Sequence, residues 1–425
     1  MNYSQEAIKY VKDFFKDVPN EVLSKRMYLE ERDDSRERNQ YQRDYARILY
    51  SSSFRRLQGK MQLLGVQSEQ FYRNRLTHSL EVSQIARAIA HDLGYSEEEL
   101  YIVESCSLAH DIGNPPFGHY GETILNQISD DFGGFEGNAQ TLRILLDLEK
   151  KSPNIPGLNL SLRTNLGIIK YFNTREKGKK KFIYKKNYDQ INHFVSEYKI
   201  NPRTIDVQII DLADEIAYAA HDLEDALSLK LFTIDELVHE FYLYTKKNEQ
   251  LKVLQDIIEQ ASDVARKGCA FNSSEEYSFL FRKELTSIIV NKLVNDIDLV
   301  EVTTEFIEKT GTRNKKELGF KSLDFLAKGL KEITFKCINR SNVIHIYEKR
   351  GEKILKGLYE VYINEKYNSK FNLLPVEYRP REGMDKRRLV IDYISGMMDL
   401  FSVSMYEKFY GKGSLEQHFD KNIFM

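Results

Sequence analysis

The sequence predicts a fold that is all-α or nearly so, and three observations predict it. Apolar residues recur at helical spacing along most of the chain. The runs they form end at residues that stop helices. Leu, Ile, Val and Phe are plentiful and the charged fraction is ordinary for a globular protein, which argues against global disorder. At 425 residues the chain is too long for one small core and short for three ordinary domains. One large domain, or a core with an appendage, is expected.

Leu80, Val82, Ile85, Ile89 and Leu93 give residues 78–93 a helical period, and Gly94 is a natural stop. Ser96 with Glu99 forms a capping-box pattern before the next apolar run. That run, Leu100 to Ile112, ends at Gly113-Asn114-Pro115-Pro116, which cannot continue a helix. A third strong helix is predicted from about Asp206 to Leu229, with Ile209, Ile210, Ala213, Ile216, Ala217 and Leu223 apolar. Between 150 and 200 the pattern breaks. There Lys177 to Tyr184 reads as a basic loop leading to a short strand or hairpin. Residues 323–365 and 386–410 read as long helices, with interruptions near Pro375 and Pro380. No internal repeat is seen, and no Gly/Ser/Pro-rich linker marks a boundary near 230.

A formal net charge of −2 does not advertise a polyanionic partner, which disfavours nucleic acid. Cys106, Cys269 and Cys337 stand far apart without a CxxC pattern. This argues against a disulfide framework or a thiolate zinc site and for a reducing compartment. Cys106 falls in an apolar helical stretch, as a core residue does. No long uncharged apolar run predicts a membrane span, and Met1 to Glu6 carry no apolar signal core. The cytoplasm is the expected location.

Histidine is scarce, yet four of the nine fall between positions 78 and 119: His78, His91, His110 and His119. His110-Asp111 closes an apolar helix just before the Gly/Pro turn and His119. Adjacent imidazole and carboxylate suit a borderline or hard divalent ion with open positions for water and phosphate oxygens. His78 and Asp214 are candidates for two further ligands. The chain holds three His-Asp dipeptides. His91 lies roughly 220° around a helix from His78, at about 100° per residue, so His91-Asp92 reads as a surface or capping pair. His221 lies seven residues after Asp214, on nearly the same face, and spacing alone leaves it open as a ligand.

Three segments, Arg75-Leu76-Thr77-His78-Ser79-Leu80-Glu81-Val82, Ala109-His110-Asp111-Ile112-Gly113 and Asp211-Leu212-Ala213-Asp214-Glu215-Ile216-Ala217-Tyr218, resemble the HD-domain superfamily. They are closest to its deoxyguanosine triphosphate triphosphohydrolase (dNTPase) branch. So are Ser53 to Gln62, Phe135 to Thr141, His221 to Ala226 and Asp392 to Asp399, in the family order from about residue 30 to 412. The resemblance implies an HD-domain helical core over 1–230, a C-terminal helical region over 231–425, and a small β-hairpin or loop insertion. It implies metal ligation by His78, His110, Asp111 and Asp214, and makes His221 a non-ligand.

Phosphate-ester hydrolysis needs an activated water, charge neutralisation on the phosphoryl oxygens and care of the leaving group. His119 and Glu122, one helical turn apart, are the catalytic pair the resemblance implies. Tyr218 and Asp222 follow Asp214 at i+4 and i+8, along one helix face, and the resemblance carries nucleotide contact onto both. It likewise carries sugar contact onto Gln62 and phosphate contact onto Arg75, Lys170 and Lys181. Asn114, Met61 and Met398 depart from the commonest family pattern; none is a ligand, and they bear on base preference. The implied activity is metal-dependent hydrolysis of dGTP or other dNTPs to a deoxynucleoside and tripolyphosphate, with Mn2+ or Mg2+ as the ion. A dNTP activator and a homo-oligomer, often a hexamer, are implied with it. The rival readings are a cyclic-nucleotide phosphodiesterase, a ppGpp hydrolase and a nucleotide sensor.

Overall fold

The computed structural model describes residues 3–30, 37–62, 73–176, 180–270 and 273–415. The described chain is 66% helical, with one two-stranded sheet. Helix α1 (Arg75–Asp92) begins where Asn74 and Thr77 cap each other: Asn74 Oδ1 accepts from Thr77 N at 3.0 Å, and Thr77 Oγ1 accepts from Asn74 N at 3.1 Å. Helix α2 (Glu97–Ala109) begins on the Ser96–Glu99 box that the sequence predicts. Such boxes satisfy amides that a helix start leaves without partners. The Gly/Pro turn then ends α2, and Phe117, at φ 63° and ψ 26°, leads into α3 (Gly118–Ile128). Helix α4 (Ile205–Ala217) is buried on nearly every side, as a central helix is. It packs on both α1 and α2.

The helix expected over 206–229 is continuous but not uniform. A π-turn, Tyr218–Asp222, separates α4 from α5 (Leu223–Ser228). The extra residue in that turn rotates everything after it. Further on, α6 (Asn248–Gly268) and α7 (Ser274–Asn295) pack together. Strands β1 (Ile297–Glu301) and β2 (Lys316–Phe320) then pair antiparallel, Ile297 opposite Phe320 and Glu301 opposite Lys316.

Two sequence expectations need correction here. Near Phe182 to Tyr184 the chain forms only an isolated bridge, Thr174 with Ile183, and Lys177, Gly178 and Lys179 lie outside the described residues. The sheet sits at 297–320 instead, because five-residue strands among helices carry too few alternations to stand out. The long helices expected over 323–365 and 386–410 are each two. Helices α8 (Asp324–Ile338) and α9 (Asn342–Ile363) part where Ser341 is extended at φ −76° and ψ 122°. Helices α10 (Lys386–Ser395) and α11 (Asp399–Tyr410) part where Met398 is extended at φ −80° and ψ 156°.

Burial of apolar side chains builds two principal cores. The larger joins α1, α2 and α4 to α6, α7, the sheet and α8, through residues such as Val82, Ile89, Ile209, Ile257, Ile289 and Leu330. It runs past residue 230 without interruption, and Cys106 is part of it. The second core joins α3 to α9, α10 and α11, through Phe117, Ile124, Leu125, Leu355, Leu358 and Ile394. No described helix is long and apolar enough to cross a membrane.

Candidate active site

A cavity of about 870 Å³ opens where the two cores meet. Gln62, Arg75, His110, Asp111, His119, Glu122, Lys170, Lys181, Asp214, Tyr218 and Asp222 all line it. His78 is fully buried behind them, with Nε2 3.1 Å from Asp214 Oδ1.

His78 on α1, His110 at the end of α2 and Asp214 on α4 offer ligand atoms that all lie within 4.8 Å of one another. His110 Nδ1 lies 2.6 Å from the Ser107 carbonyl, which accepts its proton. That bond leaves Nε2 buried without a hydrogen-bond partner among the described residues, 3.6 Å from both Asp111 Oδ1 and Asp214 Oδ1. A ring nitrogen aimed at two carboxylates is the environment a divalent cation fits. The same two carboxylates act on the His110 ring. Burial opposes its charge, but Asp111 and Asp214 outweigh burial and push it up to about 9.

Asp111 stands apart from the other three. Its Oδ2 accepts from Arg75 Nη1 at 2.5 Å and its Oδ1 from Asn114 Nδ2 at 2.6 Å. Burial raises its carboxyl, yet Arg75 and the two histidines hold it well below the usual carboxylate range. The turn beneath is tight: a Cβ on Gly113 would sit 2.2 Å from the Gly137 carbonyl oxygen. His221 faces elsewhere, with Nδ1 3.1 Å from Glu81 Oε2.

On the opposite wall, α3 presents His119 and Glu122. His119 Nδ1 lies 3.3 Å from Glu122 Oε2, and the His119 side chain is 63% exposed. Glu122 Oε1 accepts from Gly137 N at 3.2 Å and from Lys181 Nζ at 3.3 Å. Burial raises the Glu122 carboxyl, but His119 and Lys181 outweigh burial and hold it at about 2. Glu122 is therefore ionised at neutral pH and can orient the imidazole or stabilise its charged form.

The two lysines are not bare cations. Lys170 Nζ lies 2.7 Å from Asp211 Oδ1 and 3.7 Å from Asp214 Oδ2. Lys181 Nζ lies 2.6 Å from Glu136 Oε1. Each ammonium has three donors, so a carboxylate partner leaves others for a ligand. Beyond the metal cluster, the Tyr218 ring sits 5.0 Å from the His78 ring. Gln62 and Asp222 line the cavity together, and Gln62 Oε1 and Asp222 Oδ1 are buried without a hydrogen-bond partner among the described residues. Burial, reinforced by Asp225 and Asp214, raises the Asp222 carboxyl well above its ordinary value. A carboxyl raised in this way keeps its proton to higher pH than a free one, and the protonated form can both donate and accept.

The sequence reading missed the wall built by α8 and α9. Lys331 places Nζ 4.6 Å over the Tyr218 ring, and Phe335, Ile344 and Tyr347 continue the lining. No local motif marks these residues; only the fold brings them to the cavity.

The helical core and its buried His/His/Asp cluster beside a cavity fit an HD-domain phosphohydrolase, the class that family models and relatives identify. The HD-domain family model matches residues 75–219, and a phosphohydrolase-associated domain matches 324–408. The chain is 49% identical to deoxyguanosinetriphosphate triphosphohydrolase-like protein 2 of Vibrio cholerae, covering 99% of this chain and 100% of the relative. It is 33% identical to the deoxyguanosinetriphosphate triphosphohydrolase-like protein of Shewanella baltica, covering 88% and 92%. With that of Rickettsia canadensis it shares 31% identity, covering 96% and 99%. The chain belongs to the deoxyguanosinetriphosphate triphosphohydrolase-like family.

Proposed function

We propose that the chain is a metal-dependent dNTP triphosphohydrolase, which cleaves dGTP or another dNTP to a deoxynucleoside and tripolyphosphate. The observation that carries this reading is a juxtaposition. The His78–His110–Asp214 cluster and the Gln62–Asp222 pair meet at one cavity. The first suits a cation on phosphate, and the second suits a sugar hydroxyl.

His78, His110 and Asp214, with Asp111 as the fourth ligand, would hold the ion; nitrogen and oxygen donors with open positions suit Mn2+ or Mg2+. Neutralisation of charge on the phosphoryl oxygens is the chemistry a bound ion supplies. Arg75, Lys170 and Lys181 add positive charge around a tripolyanion. Gln62, Tyr218 and Asp222 hold the sugar end. In the reaction, a bond forms from the water oxygen to the α-phosphorus and the bond to the 5′-oxygen breaks. The 5′-oxygen takes up a proton, and His119, backed by the Glu122 carboxylate, carries it.

The test is incubation of the purified protein with each dNTP, singly and in mixtures, with Mn2+ or Mg2+. Equal amounts of deoxynucleoside and tripolyphosphate are expected. Release of orthophosphate or pyrophosphate in place of tripolyphosphate overturns cleavage of the bond between the α-phosphorus and the 5′-oxygen. Nucleotide binding without turnover overturns the enzyme reading in favour of a sensor. Turnover only of a cyclic nucleotide or ppGpp favours those activities instead. The family reading also carries activation by a dNTP at a second site, assembly as a homo-oligomer (a hexamer) and work in the cytoplasm. Mass photometry with and without dNTPs checks the assembly, and a monomer throughout overturns it.

A further inference from the structure

Asp399 lies at the start of α11, far from the metal cluster in sequence, and is 2% exposed. Its Oδ1 accepts from Phe117 N at 3.2 Å. Its Oδ2 accepts from Met61 N and from the Tyr347 hydroxyl, both at 2.9 Å. Met61, Phe117 and Tyr347 all line the cavity, but Asp399 does not. One buried carboxylate thus holds three separate pieces of the cavity wall.

Each piece leads to a residue of the proposed site. Met61 precedes Gln62. Phe117 stands in the left-handed region, followed by Gly118 at φ 58°, and these two residues set the direction in which α3 carries His119 and Glu122. Left-handed backbone at a residue with a Cβ persists only where its surroundings hold it. Asp399 holds the Phe117 amide, and α9 packs on the ring so closely that a Cβ on Gly351 would meet Phe117 Cγ at 2.6 Å. A second tether runs beside the first. Lys60, 2% exposed, donates from Nζ to the Asn114 carbonyl and, at 2.8 Å, to the Ser395 carbonyl.

We infer that Asp399 is a positioning residue through which the associated region sets the placement of α3, and so of the His119–Glu122 pair, relative to the metal cluster. Lys60 works with it by tying the Gly113–Pro116 turn to the end of α10. The inference rests on the proposed roles of His119 and Glu122. Asp399→Asn preserves size but turns an amide N–H toward a backbone N–H, at Phe117 or at Met61, so one tether is lost.

The test compares wild type, Asp399→Asn and Lys60→Met in full-length protein. For Asp399→Asn, kcat is expected to fall at least about tenfold while KM changes little, because misplacement of reacting groups strikes kcat. Mn2+ affinity is expected to stay unchanged, since the cluster is built on other helices. Hydrogen exchange is expected to quicken over residues 113–122 and to stay at the wild-type rate in α1 and α4. Lys60→Met is expected to give the same pattern more weakly, and it carries the test if Asp399→Asn does not fold. Unchanged kcat and unchanged exchange at 113–122 overturn the inference. So does faster exchange spread evenly over α1, α3 and α4, which marks a stability anchor only. Should wild type turn over no nucleotide, the functional reading fails, yet exchange and Mn2+ affinity still decide the role of Asp399.

Discussion

The two walls of the cavity rest on different cores. The metal wall takes His78, His110 and Asp214 from α1, the end of α2 and α4, all packed in the larger core. The facing wall takes His119 and Glu122 from α3, which packs with α9, α10 and α11 in the second core. The metal wall is deeply buried and held by helix–helix packing. The facing wall is more open, and its entry passes through a left-handed phenylalanine. Such a residue costs on the order of 1–2 kcal/mol relative to a right-handed one. The contrast teaches that the His78–His110–Asp214 cluster is preorganised within the HD region, whereas His119 and Glu122 sit on a helix packed against the associated region.

If the walls are independent in this sense, their variants separate by readout. Asp214→Ala is the harshest break. It is expected to weaken Mn2+ binding by more than the ~10–100-fold that follows loss of a group one layer out from a metal, and to bring dNTP turnover to background. Titration calorimetry with Mn2+ and a product assay measure both; retained binding would remove Asp214 from the cluster. Glu122→Gln comes next. It is expected to lower kcat by about 10²–10³ with Mn2+ affinity unchanged. A parallel loss of metal would mean that the two walls act as one unit.

The metal wall was largely legible in the sequence, because histidine is scarce and His110-Asp111 sits at a helix stop. Spacing did not separate Asp214 from His221, since seven residues is nearly two turns. The structure separates them physically: His221 lies within the π-turn and meets Glu81. The facing wall was only half legible. His119 and Glu122 follow the Gly/Pro turn closely, but Phe117 and Asp399 are 282 positions apart. No local period reports a contact of that range. The breaks at Ser341 and Met398 carry no proline; the first helix of each pair ends at Asn339 or Gly396, a weaker local signal.

Between the walls, Asp222 sharpens the comparison because it is the last residue of the π-turn and faces the cavity. Asp222→Ala is expected to raise KM for a dNTP about tenfold, the loss of one good hydrogen bond to a buried partner, with a smaller effect on kcat. Asp222→Asn is expected to do less, because an amide keeps both a donor and an acceptor at that position. The pH dependence carries a sign. Its folded carboxyl is raised above the unfolded value by burial, then by Asp225 and Asp214. Its stabilising contribution is therefore full below the unfolded value and is lost as pH rises through the folded one. Asp222→Asn lacks that loss, so its Tm relative to wild type should climb with pH. A constant difference would mean that Asp222 is ionised in the folded protein.

The smallest effects are expected at the other two histidines that precede an aspartate, and they mark the edge of the metal wall. His221 is mostly buried against Glu81, within the cluster that Arg73 forms with Glu81, Glu224 and Asp225. His221→Ala should cost about 1 kcal/mol of stability and leave Mn2+ affinity as it was. His91 sits in the last turn of α1 with its side chain 66% exposed, and its Nδ1 lies 2.9 Å from Oδ1 of its neighbour Asp92. It shares α1 with His78 but points to solvent. His91→Ala should change stability by less than about 0.5 kcal/mol, as exposed substitutions do, and alter neither Mn2+ affinity nor turnover. Thermal melts and calorimetry on this variant beside Asp214→Ala set the two extremes. A loss of metal binding in His91→Ala would show that α1 conveys changes at its exposed end to His78. The metal wall would then be less rigid than its packing implies.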